Sequence, residues 1–188
     1  MGDVSSLSAA QGLTRSKVAA VTAEQWARPT PCEEWTVRDL VVHIVEGSRM
    51  ATALLDGASA DEARRAFGVA HGDLVDELGA AFADELAAFA RPESFDMTIH
   101  HPHTGDIPGI RLYEFRTGDY LLHGWDLARA TGTDEALPDD LVTSVWSAIE
   151  PMAPFIGQIG VFGTGPSGTV GDDAPLQQRL LDLTGRRP

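Results

Sequence analysis

Asp119, His123 and Asp126 carry the clearest chemical signal in the chain. An acid and a histidine four residues apart on a helix are neighbours that can close on one divalent ion. At ~100° per residue the three side chains fall within a ~60° arc of one helix face. Leu112, Phe115 and Ala130 make the rest of that face apolar. Charged groups that face a core are costly unless paired or bound to metal. A His–carboxylate hydrogen bond that only satisfies buried groups would use the same spacing, so the pattern alone leaves both readings open. His43, within Asp-Leu-Val-Val-His-Ile-Val, offers a third ligand, although alone it reads as a hydrogen-bonded core histidine. Asp39 repeats the spacing four residues before His43, and its place in a first helical turn explains it structurally. Two neutral imidazoles and one carboxylate leave coordination positions open, the pattern of catalytic rather than structural zinc.

Other reactive residues carry less. His71 lies on the Phe67, Leu74, Leu78 stripe and reads as core or rim. His100, His101 and His103 cluster around Pro102 in a turn that cannot hold a preorganised site, so a solvated or pocket-edge role is expected. Gly163-Thr164-Gly165-Pro166-Ser167-Gly168 has the dinucleotide-binding glycine spacing. Thr169-Val170-Gly171-Asp172-Asp173 follows in place of a helix, so no helix N-terminus meets a pyrophosphate. Cys32 sits near a helix start, but Glu33 and Glu34 oppose a lowered thiol pKa, and it reads as structural.

Amphipathic helices must position these groups. Leu7, Leu13, Val18 and Val21 suggest a helix over 5–22 with imperfect periodicity. After a break at Arg28-Pro29-Thr30-Pro31-Cys32, Thr36 caps a second helix, with Asp39 favouring its first turn. Leu40, Val41, Ile44, Ser48, Ala51 and Leu55 form its stripe, and Asp56-Gly57 ends it. A third helix spans about 61–90 through Leu74, Leu78, Phe82, Leu86 and Phe89, with Gly68 and Gly72 weakening its first part. A short strand over 94–99 and a turn through His100–Gly105 lead to Pro108-Gly109 and a fourth helix over 110–131, closed by Gly132. A fifth starts at Pro138 and weakens at Pro151 and Pro154; Leu176–Leu183 is a short terminal helix. The pattern predicts an all-α antiparallel bundle over 5–155, with a short Gly/Pro-rich C-terminal extension, 156–188, packed on it.

Composition narrows the partners. The 188 residues carry 14 Lys and Arg against 28 Asp and Glu, a net charge of −14, which opposes nucleic acid and anionic membranes. One cysteine excludes an internal disulfide framework or a cysteine-rich metal site. No basic and apolar leader opens the sequence and no apolar run approaches ~20 residues, so a cytoplasmic protein is expected.

Two stretches resemble a known family. Thr-Pro-Cys-Glu-Glu-Trp-Thr-Val-Arg-Asp-Leu-Val-Val-His, residues 30–43, resembles the TPCxxWTVRDLxxH signature of the mycothiol-dependent maleylpyruvate isomerase metal-binding domain family, within the DinB-like superfamily. Leu-His-Gly-Trp-Asp-Leu-Ala-Arg-Ala-Thr-Gly, residues 122–132, resembles its second signature, VHGWDLAxATG. The resemblance runs from about residue 5 to 186 and implies a DinB-like four-helix bundle holding a divalent metal, usually zinc, at one end. It maps the family's two histidines onto His43 and His123, and its carboxylate onto Asp119, where glutamate is usual. The stretch after Phe155 is too short for the C-terminal domain of the characterised isomerases, which puts maleylpyruvate itself in doubt as substrate.

Together these readings predict one zinc on His43, Asp119 and His123, with Asp126 accepting the free N–H of an imidazole. A small thiol, mycothiol or similar, would occupy the open positions and add to a small electrophilic substrate, giving transfer or isomerisation. An anionic substrate would need Arg116 or the Arg111 region to offset the acidic surface. The alternative is a non-catalytic, metal-stabilised bundle serving as an interaction or stress-response module, in which the metal would be closed off. Expected partners are the thiol and the electrophile, with a homodimer left open and neither nucleic acid nor membrane.

Overall fold

The computed structural model describes residues 3–66, 72–158 and 165–188. Phe67, His71 and the Gly163-Thr164 start of the glycine motif lie outside the described residues. The chain divides into two units, 1–135 and 136–188.

The first unit holds the bundle. Its helices are α1 (Ser5–Ala19), α2 (Val37–Leu55), α4 (Leu74–Phe89) and α5 (Gly109–Thr131), with a short α3 (Ala60–Ala66) packed on α2. Helix α1 packs on α5 and α4, and α2 packs on α4 and α5, giving a ring of four helices. This is the predicted four-helix architecture. The imperfect periodicity of α1 has a physical cause. Its buried face is Leu7, Ala10, Gln11, Thr14 and Val18, and two of these are polar. Thr14 Oγ1 donates to the Tyr120 carbonyl at 2.8 Å and Gln11 Nε2 to Glu85 at 2.9 Å, so both are satisfied inside the core.

Helix α2 starts where its cap dictates. Thr36 accepts from the Asp39 amide while the Asp39 carboxylate accepts from the Thr36 amide, a reciprocal box that fixes the helix carrying His43. The expected single helix over 61–90 is instead α3 and α4, with Asp73 capping α4 by accepting from Val75 and Asp76 amides. A capping aspartate after Gly72 favours a fresh helix start over continuation.

The expected strand is shifted and longer in partnership. Strands β1 (Thr98–His101) and β2 (Gly105–Pro108) form an antiparallel hairpin, so His100 and His101 are strand residues and the turn is shorter than predicted. Pairing with β2 supplies the hydrogen bonds that the weak alternation could not reveal. The hairpin packs near α2 and α5. Gly132, at φ 71°, closes α5 in the left-handed conformation a glycine adopts without strain.

The second unit contains α6 (Asp139–Ile149), a 3₁₀ stretch over Glu150–Gln158 and α7 (Leu176–Leu183). Pro151 and Pro154 explain the change from α to 3₁₀. In the described part of the glycine motif, Gly165 and Gly168 have positive φ, and the next helix begins only at Leu176. No helix among the described residues is long and apolar enough to cross a membrane.

Candidate metal centre

Helix α2 supplies His43, and α5 supplies Asp119, His123 and Asp126. The two helices pack together, which brings residues 76 or more positions apart in the chain to one spot. His123 Nε2 lies 3.3 Å from Asp119 Oδ1, and His43 Nε2 lies 3.7 Å from the same oxygen. The imidazoles meet edge to face with centroids 5.1 Å apart. His43, Asp119 and His123 each direct one ligand atom into a group no wider than 4.8 Å.

These spacings suit a metal. Four donors at ~2.0–2.1 Å from tetrahedral zinc stand about 3.3 Å from one another. One imidazole–carboxylate separation equals that edge and the other exceeds it by a few tenths of an ångström. Two nitrogen donors and one oxygen donor form a set zinc accepts. The His43 and Asp119 side chains keep 28% and 25% of their exposure, against 9% for His123.

Asp126 works from behind. It is fully buried, and its Oδ2 lies 2.9 Å from His123 Nδ1. Because a carboxylate only accepts, Nδ1 carries the proton, and Nε2 is the atom turned to Asp119 and His43. Cys32 Sγ donates to the same Asp126 oxygen at 3.4 Å and lies 3.9 Å from His123 Nδ1. Cys32, His123 and Asp126 are also close enough to be a metal-ligating group. There the His123 Nδ1–Asp126 Oδ2 separation of 2.9 Å is a hydrogen-bond distance, shorter than the ~3.3 Å donor–donor edge of a tetrahedral zinc site.

Electrostatics favour a cation between Asp119 and the imidazoles. Burial pushes His123 down, but Asp119 and the bonds to Asp119, Asp126 and Cys32 outweigh it and hold His123 well above 6.5. Burial likewise pushes Asp119 up, and His123 and Arg116 outweigh it, holding the carboxyl well below 3.8. A proton on His123 and a metal ion answer the same carboxylate charge.

Sequence reasoning missed several neighbours. Trp35 lays its ring 4.7 Å from His43 and 6.3 Å from His123. It also lines a groove of about 250 Å³ with Pro29, Thr30 and Cys32. Trp35 and Cys32 were visible as parts of the first signature, and the loop that folds them back onto α5 was not. Arg116 is buried and bound to Glu85, Asp119 and Tyr120, and Arg111 pairs with Glu114 at 2.7 Å. Both guanidiniums that were considered for anion recognition therefore have carboxylate partners. The signal for Arg116 was its position three residues before Asp119 on the same face.

The turn histidines lie outside the cluster. His100 Nδ1 pairs with Asp106 at 2.7 Å across the hairpin. His101 Nδ1 accepts from the His103 and Thr104 amides, and burial, with His103 and Arg116 nearby, pushes it down to about 4.

Comparison with known proteins places this geometry in context. Residues 7–128 match the family model described as the mycothiol maleylpyruvate isomerase N-terminal domain. Two uncharacterized proteins of Mycobacterium tuberculosis, one from strain CDC 1551 / Oshkosh and one from strain ATCC 25618 / H37Rv, are each 34% identical over 170 residues. The alignments cover 88% of this chain and 84% of theirs. A crystal structure of a mutant mycothiol-dependent maleylpyruvate isomerase superposes with a TM-score of 0.61 at 11% identity, over 81% of this chain and 67% of that one. At that identity the likeness is one of fold.

Proposed function

The chain belongs to the mycothiol maleylpyruvate isomerase N-terminal domain family, and from that premise we propose that it is a metal-dependent enzyme joining a small thiol to an electrophile. His43, Asp119 and His123 would hold one divalent ion, zinc being the best match to the donor set. When bound, the ion lowers the pKa of a thiol in its open positions and supplies a nucleophile at neutral pH. The observation that carries the reading is the partial exposure of His43 and Asp119 beside a buried, anchored His123. A purely structural metal would be closed off by the protein, whereas the His43 and Asp119 side chains stay partly exposed.

The chain's own residues have definite tasks. Asp126 keeps the proton on His123 Nδ1 and so keeps Nε2 as the ligand atom. Trp35 covers one side of His43 and narrows the approach for substrates. Cys32 donates to Asp126 behind the imidazole, on the Nδ1 side, which makes it a support rather than the nucleophile. With Arg111 and Arg116 paired to carboxylates, neutral or monoanionic electrophiles suit the site best. The sulfur would add to one carbon of an activated double bond, whose π pair shifts onto the conjugated carbonyl as an enolate, and the enolate takes back from solvent the proton the thiol released. Retention of the carbon–sulfur bond is transfer; rotation about the carbon–carbon single bond, followed by re-formation of the double bond with loss of the thiolate, is isomerisation. A low-molecular-weight thiol of the mycothiol type and a cytoplasmic setting complete the proposal.

The test is turnover of a panel of small electrophiles with and without added thiol, paired with elemental analysis. About one metal per chain is expected, lost in His43→Ala and His123→Ala and kept in His101→Ala. Turnover should vanish on chelation and survive Cys32→Ser. Activity without added thiol, or full metal occupancy in the His43 and His123 variants, overturns the proposal.

A further inference from the structure

Beneath Asp119 lies a polar layer that the metal reading does not use. Glu85, on α4, is fully buried. It accepts from Arg116 Nε at 3.0 Å, Gln11 Nε2 at 2.9 Å, Ser48 Oγ at 3.1 Å and the Tyr120 hydroxyl. All four bundle helices thus contribute to one buried network. Its cation, Arg116, is 6% exposed and extends Nη2 to the Tyr120 hydroxyl at 2.6 Å. Its remaining arm, Nη1, holds Asp119 Oδ2 at 2.9 Å. Gly47 on α2 leaves the passage for this guanidinium, because a β-carbon there would come within 2.7 Å of Nη1.

The two oxygens of Asp119 are therefore divided. Oδ2 is tied to Arg116, and Oδ1 is the oxygen near both imidazoles. We propose that the Glu85–Arg116 pair is a positioning device that holds Asp119 as a one-oxygen ligand and thereby keeps a coordination position open for the exogenous thiol. The inference rests on the metal reading above. A carboxylate released from Arg116 is free to turn both oxygens to the ion and close the position the thiol requires. The rigid guanidinium fork suits this task, since it reaches Glu85 and Asp119 at once while its own place is fixed by four helices.

Cobalt(II) substitution reads the geometry directly, because the visible bands of cobalt weaken as four-coordination gives way to five. The variants are Glu85→Gln/Arg116→Met, which removes one buried charge of each sign, and Gly47→Ala, which crowds the guanidinium and leaves every charge in place. Both are checked for folding by circular dichroism, and 2-mercaptoethanol is the thiol probe, followed by its sulfur-to-cobalt charge-transfer band. Wild type is expected to show intense four-coordinate bands and to bind the thiol. The double variant should show weakened bands and ~10–100-fold weaker thiol binding, as for other groups that orient ligands. Gly47→Ala should shift in the same direction. Folded variants with wild-type bands and thiol affinity overturn this inference alone. A wild-type chain that takes up no cobalt overturns the metal reading along with it.

Discussion

Replacing Asp126 separates orientation of a ligand from coordination itself. The carboxylate is fully buried and accepts from both His123 Nδ1 and Cys32 Sγ. Asp126→Ala removes both bonds and leaves the buried His123 donor unsatisfied, at a cost of ~1–3 kcal/mol, beside a partly buried Cys32 thiol. It also frees the imidazole to rotate and to change tautomer. Loss of such a partner weakens metal affinity by ~10–100-fold. With free metal at 1,000 times the wild-type Kd, binding stabilises the wild-type fold by about 4.1 kcal/mol, and a hundredfold weaker Kd leaves about 1.4 kcal/mol. The difference, about 2.7 kcal/mol, corresponds to roughly 5–11 °C in Tm for a chain of this size.

Thermal melts with chelator and with excess zinc distinguish the two costs. The chelated pair reports the orphaned donors, and the zinc-induced rise in Tm reports the metal. Asp126→Asn should fall between, because its amide oxygen still accepts from Nδ1–H while the charge is gone. Competition with a chromophoric chelator gives Kd independently. An Asp126→Ala protein whose zinc Kd lies within threefold of wild type would refute the orienting role, whatever its Tm.

Two further predictions concern the carboxylate and the pH. Asp119→Glu extends the ligand by one methylene, about 1.5 Å, in a site where Asp119 Oδ1 already stands 3.3 and 3.7 Å from the two imidazole nitrogens. Zinc affinity should fall at least ~10-fold, as for a displaced ligand shell; equal or tighter binding by chelator competition would show that the spacing is not matched to aspartate. In the metal-free protein, the Asp119–His123 pair adds stability that is fully present between the ordinary values of 3.8 and 6.5, is lost as pH falls through the lowered Asp119 value, and is lost as pH rises through the raised His123 value. Zinc must displace the His123 proton, so its affinity should instead climb with pH up to that raised value; melts and zinc titrations from pH 5 to 9 that rise or fall together would contradict the pairing.

Asp119 and His123 were legible as a pair because they sit at helical spacing on one face of α5, and the two short signatures drew attention to His43 and His123. Thr36 and Asp39 announced the start of α2, and Gly132 the end of α5, through local chemistry that needs no tertiary information. What could not be read was which polar residues the core would admit. Gln11 and Thr14 looked like interruptions of α1, yet both are buried on partners contributed by α4 and α5. Glu85 occupied an unremarked place beside Leu86, and it is Glu85 that the core encloses while Leu86 stays partly exposed. A satisfied buried charge here depends on donors from three other helices, and no window along one helix contains that information. The same holds for Cys32, whose contact with Asp126 spans 94 positions.

That buried network bears on function through its energetics. A buried ion pair is weak evidence for stability, because taking both charges out of water offsets much of their attraction, and apolar residues of similar volume often serve as well or better. Glu85 shows the strain: burial pushes its carboxyl up despite Arg116, Tyr120 and Gln11 around it. If the bundle needed only cohesion at this level, leucine and phenylalanine would supply it, as they do at Leu78, Leu121 and Phe89. Two features instead tie the network to the site. Arg116 is the member that reaches out of the core to Asp119, the carboxylate proposed as a ligand, and Gly47 gives up side-chain packing on α2 at the point where the guanidinium passes. On the proposed metal reading, the arrangement spends folding stability on the orientation of a single oxygen pair, as a site with an open coordination position would require.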